Sequence, residues 1–95
     1  MDRMRRVHVV VGGEVQGVGY RYTMRLVARD AGVTGWVRNR RDGTVEAEVQ
    51  GDGSSVDAVL AWMAEGPPGS RVDGARVSEA TPDPAETTFE VRATA

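Results

Sequence analysis

Between Gly13 and Arg21 the sequence reads Gly-Glu-Val-Gln-Gly-Val-Gly-Tyr-Arg, a pattern able to hold one small anion. Glycines at 13, 17 and 19 let the backbone curl tightly, so that N–H groups of Gly13, Glu14, Val15, Gln16, Gly17, Val18 and Gly19 can face a common point. A helical pattern follows from Tyr20, and a helix N-terminus adds partial positive charge there. Arg21, in the first turn, offers a planar fork of donors to two phosphate oxygens. The same spacing also describes an ordinary strand-to-helix turn with a solvated arginine. One feature favours the anion. Arg21, Arg25 and Arg29 recur at i, i+4 and i+8, a like-charge stripe that is mildly destabilising, and a cation in a first helical turn is unfavourable as well. A bound anion relieves both effects at Arg21. Asp30 or another carboxylate would relieve part of them.

Other chemistries lack their residues. The chain has no cysteine and a single histidine, His8. Disulfides, thiolate nucleophiles and Cys-ligated zinc are excluded, and neither a metal nor a cofactor is expected. Glu46 and Glu48 share a strand face and read as a solvated stripe rather than an acid–base pair. His8 reads as a surface strand residue, and Trp36 and Trp62 as packing. Twelve basic residues, all arginine, face 14 acidic ones for a net charge of −2, and aromatics make up 5%. That balance argues against a nucleic-acid partner.

The elements that must position the loop follow from periodicity. Val7, Val9 and Val11 alternate as in a strand, which Gly12 and Gly13 are expected to end. Tyr20 to Ala31 fits a helix, with Tyr22 and Leu26, then Met24, Val27, Ala28 and Ala31, assigned to its apolar side and Gly32 as its stop. Val33 to Asn39 reads as a strand, Asp42-Gly43 as a hairpin turn, and Val45, Ala47 and Val49 as one face of the returning strand. Ser54 with Asp57 resembles a capping box, opening a helix with a stripe of Val56, Val59, Leu60 and Met63. Gly66-Pro67-Pro68 closes it. Ala75 to Ala80 and the Phe89, Val91, Ala93 alternation supply the remaining strands. The order β-α-β-β-α-β, with a further C-terminal strand, predicts an α+β, ferredoxin-like sandwich: a mostly antiparallel sheet with two helices on one face. Ninety-five residues suit one domain, 1–95. The charged start before Val7–Val11 imitates a signal peptide, but His8 interrupts a run too short for one. No run reaches transmembrane length. A cytoplasmic protein without a membrane partner is expected.

The loop resembles the first signature of the acylphosphatase family, with Gly13, Val15, Gln16, Gly17, Val18 and Arg21 at matching positions. The second signature is also present: Gly35-Trp36-Val37-Arg38-Asn39, then Gly43-Thr44-Val45, then Gly51. The resemblance covers nearly the whole chain. Tyr20 stands where the family usually has Phe, and Gly12 where a larger residue is common. The resemblance implies a free-standing, metal-independent hydrolase of acyl phosphates, acting on a small molecule and expected to be a monomer. It implies that Arg21 and the loop N–H groups bind the phosphate, that Asn39 positions the attacking water, and that Thr44 helps hold water near Asn39. By position alone Asn39 also suits an ordinary hairpin.

Three other readings compete. A non-catalytic ferredoxin-like module binding a small anion would keep the fold, but the intact Arg21 and Asn39 count against it. Nucleic-acid binding on the open sheet face lacks the charge and the aromatics. Acylphosphatase-like domains also lead larger carbamoyl-phosphate-using maturation proteins. A chain of this length without zinc-type cysteines favours the free-standing enzyme.

Overall fold

The computed structural model describes residues 4–95. Its elements are β1 (Met4–Glu14), α1 (Tyr20–Ala31), β2 (Thr34–Asn39), β3 (Val45–Asp52), α2 (Gly53–Glu65), β4 (Arg71–Ala80) and β5 (Phe89–Val91). The five strands form one sheet in the order β4-β1-β3-β2-β5. Every pairing is antiparallel except β2 with β5. The expected α+β, ferredoxin-like β-α-β-β-α-β arrangement is the one observed.

Alternation along the central strands fixes the register. Val7, Val9 and Val11 of β1 stand opposite Val49, Ala47 and Val45 of β3, and all six are fully buried under the helices. Met24 and Ala28 of α1 and Val56, Val59 and Met63 of α2 close the core. Slipping one strand by a residue would turn its valines to the opposite face.

Several local expectations are corrected. Gly12 and Gly13 do not end β1. The strand continues to Glu14 through an irregularity between the two glycines, opposite a β4 that starts at Arg71. Gly13 fits there because a Cβ would run into the Arg71 carbonyl oxygen. Tyr22 and Leu26 are 58% and 65% exposed, so the apolar side of α1 is the Tyr20–Met24–Ala28 row. That row keeps strict i, i+4 spacing, and Tyr22 and Leu26 lie on the other side. The Ser54–Asp57 capping box does not form: Asp52 is the N-cap of α2 and makes no side-chain cap bond. The last strand ends at Val91, short of Ala93.

The open face of the sheet is not a solvated carboxylate stripe. Glu48 Oε1 accepts from Arg6 Nε at 2.6 Å, and Glu46 from Arg38 Nε at 2.8 Å with His8 Nε2 2.7 Å away. Burial works against the Glu46 anion, but the bonds from His8 and Arg38 outweigh it and hold the carboxyl below its ordinary value. Arg6, nearly buried, also reaches Glu86 at 2.9 Å. Glu86 belongs to the segment 81–88 that joins β4 at one edge to β5 at the other. Gln50 grips that segment twice, at the N–H and the carbonyl of Asp83. Trp36 lies on this face under the Arg38 and Arg92 guanidiniums, 4.9 and 4.8 Å from its ring centre. It packs, as the sequence suggested.

Tyr20 is wholly buried. Its ring tilts against Trp62 with centres 5.1 Å apart, and its hydroxyl donates to the Met63 carbonyl at 2.8 Å. Met63 lies in the last turn of α2, where carbonyls lack helical partners. The hydroxyl therefore closes a helix end, and burial raises its pKa. Tyr20→Phe leaves that carbonyl unsatisfied and should cost about 1 kcal/mol. The expected readout is a Tm lower by roughly 4–8 °C in a domain of this size, with the native circular dichroism retained. An unchanged Tm would show that water replaces the hydroxyl at no cost.

Candidate active site

Glycine geometry shapes the loop between β1 and α1. Gly17 and Gly19 both have left-handed φ, 75° and 77°. Gly19 is the N-cap of α1, and no side chain caps the helix there. The first-turn N–H groups therefore end α1 without a side-chain acceptor, and the first turn contains no acidic residue. A helix end of this kind can accept an anion. A Cβ on Gly19 would meet nothing within 4 Å, so glycine is required there for its dihedral and not for space. Val15 is buried and pins the middle of the loop to the core.

Gln16 binds differently from the other loop residues. Its side-chain Nε2 donates to the Arg40 carbonyl at 2.7 Å and the Thr44 carbonyl at 2.9 Å. These two carbonyls flank the turn of the β2–β3 hairpin. The turn is closed by Arg40 N–H to the Thr44 carbonyl at 2.9 Å and Gly43 N–H to the Arg40 carbonyl at 3.1 Å. Asp42 Oδ1 accepts from both the N–H and the hydroxyl of Thr44, at 3.0 and 2.6 Å. Those bonds hold the Asp42 carboxyl below the usual carboxylate range. The Thr44 hydroxyl proton is thus committed to Asp42, and Thr44 meets the loop through its carbonyl.

Asn39 immediately precedes this hairpin. It is the last residue of β2, opposite Val45, and it continues the helix-side face of Gly35 and Val37. Its backbone carbonyl accepts from Ala95 N–H at 3.1 Å, and the Ala95 carbonyl accepts from Arg41 N–H at 2.9 Å. Asn39 Oδ1 is buried without a hydrogen-bond partner. A buried amide oxygen left unpaired costs free energy unless something donates to it.

Arg21 is half-buried in the first turn of α1, its guanidinium 5.7 Å from the centre of the Tyr22 ring. No carboxylate among the described residues pairs with it. Gln16 therefore ties the loop that leads to Arg21 to the hairpin that follows Asn39. The sequence named both ends of this arrangement and missed the tie. Gln16 counted there only as a backbone donor. The bond from Ala95 to Asn39 left no signal in the sequence at all.

Two further features bear on the chemistry. Among the described residues no group of three His, Cys, Asp or Glu could hold a metal ion. A cleft of about 540 Å³ opens on the far side of the hairpin, lined by Val10, Arg40, Asp42, Thr44, Asp73 and Arg76 among others. It contains neither Arg21 nor Asn39.

The acylphosphatase family model matches residues 7–91. An acylphosphatase of Methylococcus capsulatus is 55% identical over 76 residues, 80% of this chain and 83% of that protein. Among solved structures, an acylphosphatase from Coxiella burnetii superposes with a TM-score of 0.89 at 35% identity, covering 94% of this chain and 93% of its own. Full-length HypF in its phosphate- and nucleotide-bound form superposes with a TM-score of 0.87 at 25% identity over 99% of this chain, which corresponds to 12% of HypF.

Replacing the Gln16 tie should be felt at the loop. Gln16→Ala removes two bonds and should weaken inorganic phosphate binding roughly tenfold. Gln16→Glu should weaken it further, because a carboxylate would then face two carbonyl oxygens. Phosphate titration by calorimetry checks the order. Equal affinities in Gln16→Glu and wild type would separate the loop from the hairpin.

Proposed function

The chain belongs to the acylphosphatase family and carries acylphosphatase activity, and from that premise we propose that Arg21 binds the phosphoryl group while Asn39 holds the attacking water. The observation that carries this reading is the buried, unpartnered Oδ1 of Asn39. A water donating to that oxygen satisfies it and is oriented by it. The N–H groups of residues 15–19, the part of the predicted 13–19 loop left free once Gly13 and Glu14 pair with β4, and the uncapped end of α1 receive the equatorial phosphoryl oxygens beside Arg21. Thr44 supports the water site indirectly, through the carbonyl that Gln16 grips.

So few groups suffice because of the leaving group. A carboxylate, with a parent-acid pKa of about 4, departs without protonation, so no general acid is needed. Water adds to phosphorus in line, the phosphorus–oxygen bond of the mixed anhydride breaks, and its electron pair leaves with the carboxylate. Asparagine is a poor base, so the water proton passes to a phosphoryl oxygen of the substrate. The products are carboxylate and inorganic phosphate. No step calls on a metal. One sheet and one core carry every described element, which supports a single domain, 1–95, and the enzyme is proposed to act as a monomer. A cytoplasmic location is part of this proposal, and Val7, Val9 and Val11 of the N-terminal apolar run are committed to the core. Among the described residues no helix is long and apolar enough to cross a membrane.

The test is benzoyl phosphate hydrolysis with EDTA present. Turnover should persist, be inhibited competitively by inorganic phosphate, and far exceed turnover of an alkyl phosphate, whose alkoxide does need an acid. Activity lost to EDTA and restored by a metal would overturn the metal-free reading. Phosphate binding without any turnover would leave the non-catalytic anion-binding module.

Two substitutions separate the roles. Asn39→Ala should abolish turnover and leave inorganic phosphate affinity within a few-fold of wild type, because the cradle does not depend on the amide. Arg21→Lys should lose on the order of 10²–10³ in rate, nearly as much as Arg21→Ala, because an ammonium cannot span two oxygens as the planar fork does. If Arg21→Lys worked normally, point charge alone would suffice. If phosphate affinity collapsed in Asn39→Ala, Asn39 would be a structural residue.

A further inference from the structure

The three arginines spaced along α1 have different surroundings. Arg29 has partners: its Nη2 donates to the Phe89 carbonyl at 3.2 Å and lies 3.7 Å from Glu90 Oε2. Arg21 and Arg25 pair with no carboxylate among the described residues, and Arg25 Nε is buried without an acceptor. Both guanidiniums lie against one ring, 5.7 and 6.0 Å from the centre of Tyr22. That ring is mostly exposed, as is Leu26 one turn further on. Arg21 therefore borders a strip of apolar surface that carries a second, unanswered positive charge about one helical turn away, roughly 5.4 Å along the axis.

A single phosphate leaves this arrangement incomplete. It answers Arg21, but the Arg25 guanidinium still has no carboxylate partner among the described residues. An acyl group with its own anion would lie on the ring and meet the second guanidinium. We propose that Arg25, with Tyr22, receives the acyl portion of the substrate and selects acyl phosphates bearing a second anionic group, a carboxylate or phosphate a few bonds beyond the scissile anhydride. This rests on Arg21 as the phosphate ligand and leaves the bond-breaking steps unchanged. Arg25 is a specificity-determining residue in this account, and Tyr22 supplies the surface on which a planar or aliphatic acyl group rests.

A rigid substrate pair tests it: 4-carboxybenzoyl phosphate against benzoyl phosphate, compared by kcat/KM. The wild-type enzyme should favour the carboxylated substrate about fivefold, as expected of one partly exposed charge pair. The preference should shrink in 0.5 M salt. Arg25→Gln should bring the ratio close to one. Arg29→Gln, which removes a cation already partnered, should keep the preference. The proposal is overturned by a wild-type ratio of one or less, by equal loss on both substrates in Arg25→Gln, or by loss of the preference in Arg29→Gln, which would mean a diffuse field. Those results all leave benzoyl phosphate turnover in the wild-type enzyme intact. Failure to hydrolyse either substrate would instead remove the underlying assignment of Arg21, and this proposal with it.

Discussion

Two hydrogen bonds from one amide, Gln16 Nε2 to the carbonyls of Arg40 and Thr44 at 2.7 and 2.9 Å, join parts of the chain that local structure would leave independent. A loop with left-handed glycines at 17 and 19 is not held in one shape by its own dihedrals. Nor does the Asp42–Thr44 turn, though internally bonded, fix itself relative to α1. The amide removes that freedom. With Val15 sunk in the core, it holds the cradle at a set position relative to Asn39. In the proposed reaction water and phosphate must be aligned closely for in-line attack, and a two-point amide contact would supply that alignment without adding charge to the site.

The two faces of the sheet serve different ends. The helix side is a dry core of valine, alanine and methionine, and it carries Asn39 at its margin. The opposite side is polar but ordered. Arg6 would be costly to bury alone, yet it meets Glu48, Glu86 and the Gln50 side-chain oxygen at 2.6, 2.9 and 3.2 Å. Those contacts close the face beneath the crossing segment 81–88 and leave Trp36 stacked under arginines.

What the sequence made legible was local. The Gly13–Arg21 loop, Asn39 before the Asp42-Gly43 turn and the valine alternation are all patterns within one or two elements, and backbone geometry converts them directly into structure. What it hid depends on distant partners. The acceptors of Gln16 lie 24 and 28 residues away and are backbone carbonyls, so no residue type marks them. Glu46 and Glu48 looked solvated because their arginines come from other strands. Tyr20 differed from the family's usual Phe for a reason visible only once Met63 of α2 is beside it. Tyr22 and Leu26 are apolar by type, and only the packing of α1 on the sheet shows that they lie on its outer side. The Ser54 cap fails because the N-cap lies two residues earlier, at Asp52, where α2 starts directly from β3.

The short parallel pairing of β5 with β2 has a consequence for how activity is lost. Only Phe89 to Val91 pair with β2 as a strand, yet the chain beyond them runs on to Ala95, whose N–H holds the Asn39 carbonyl. A three-residue edge strand opens more readily than the buried β1–β3 centre. When it frays, the backbone of Asn39 loses one of its two supports while the core valines remain packed. Amide hydrogens along this edge should exchange ahead of those in the middle of the sheet. With Asn39 acting as proposed, inactivation on warming should run ahead of global unfolding, and the reversible part of that loss would measure a local opening equilibrium rather than the melting of the molecule.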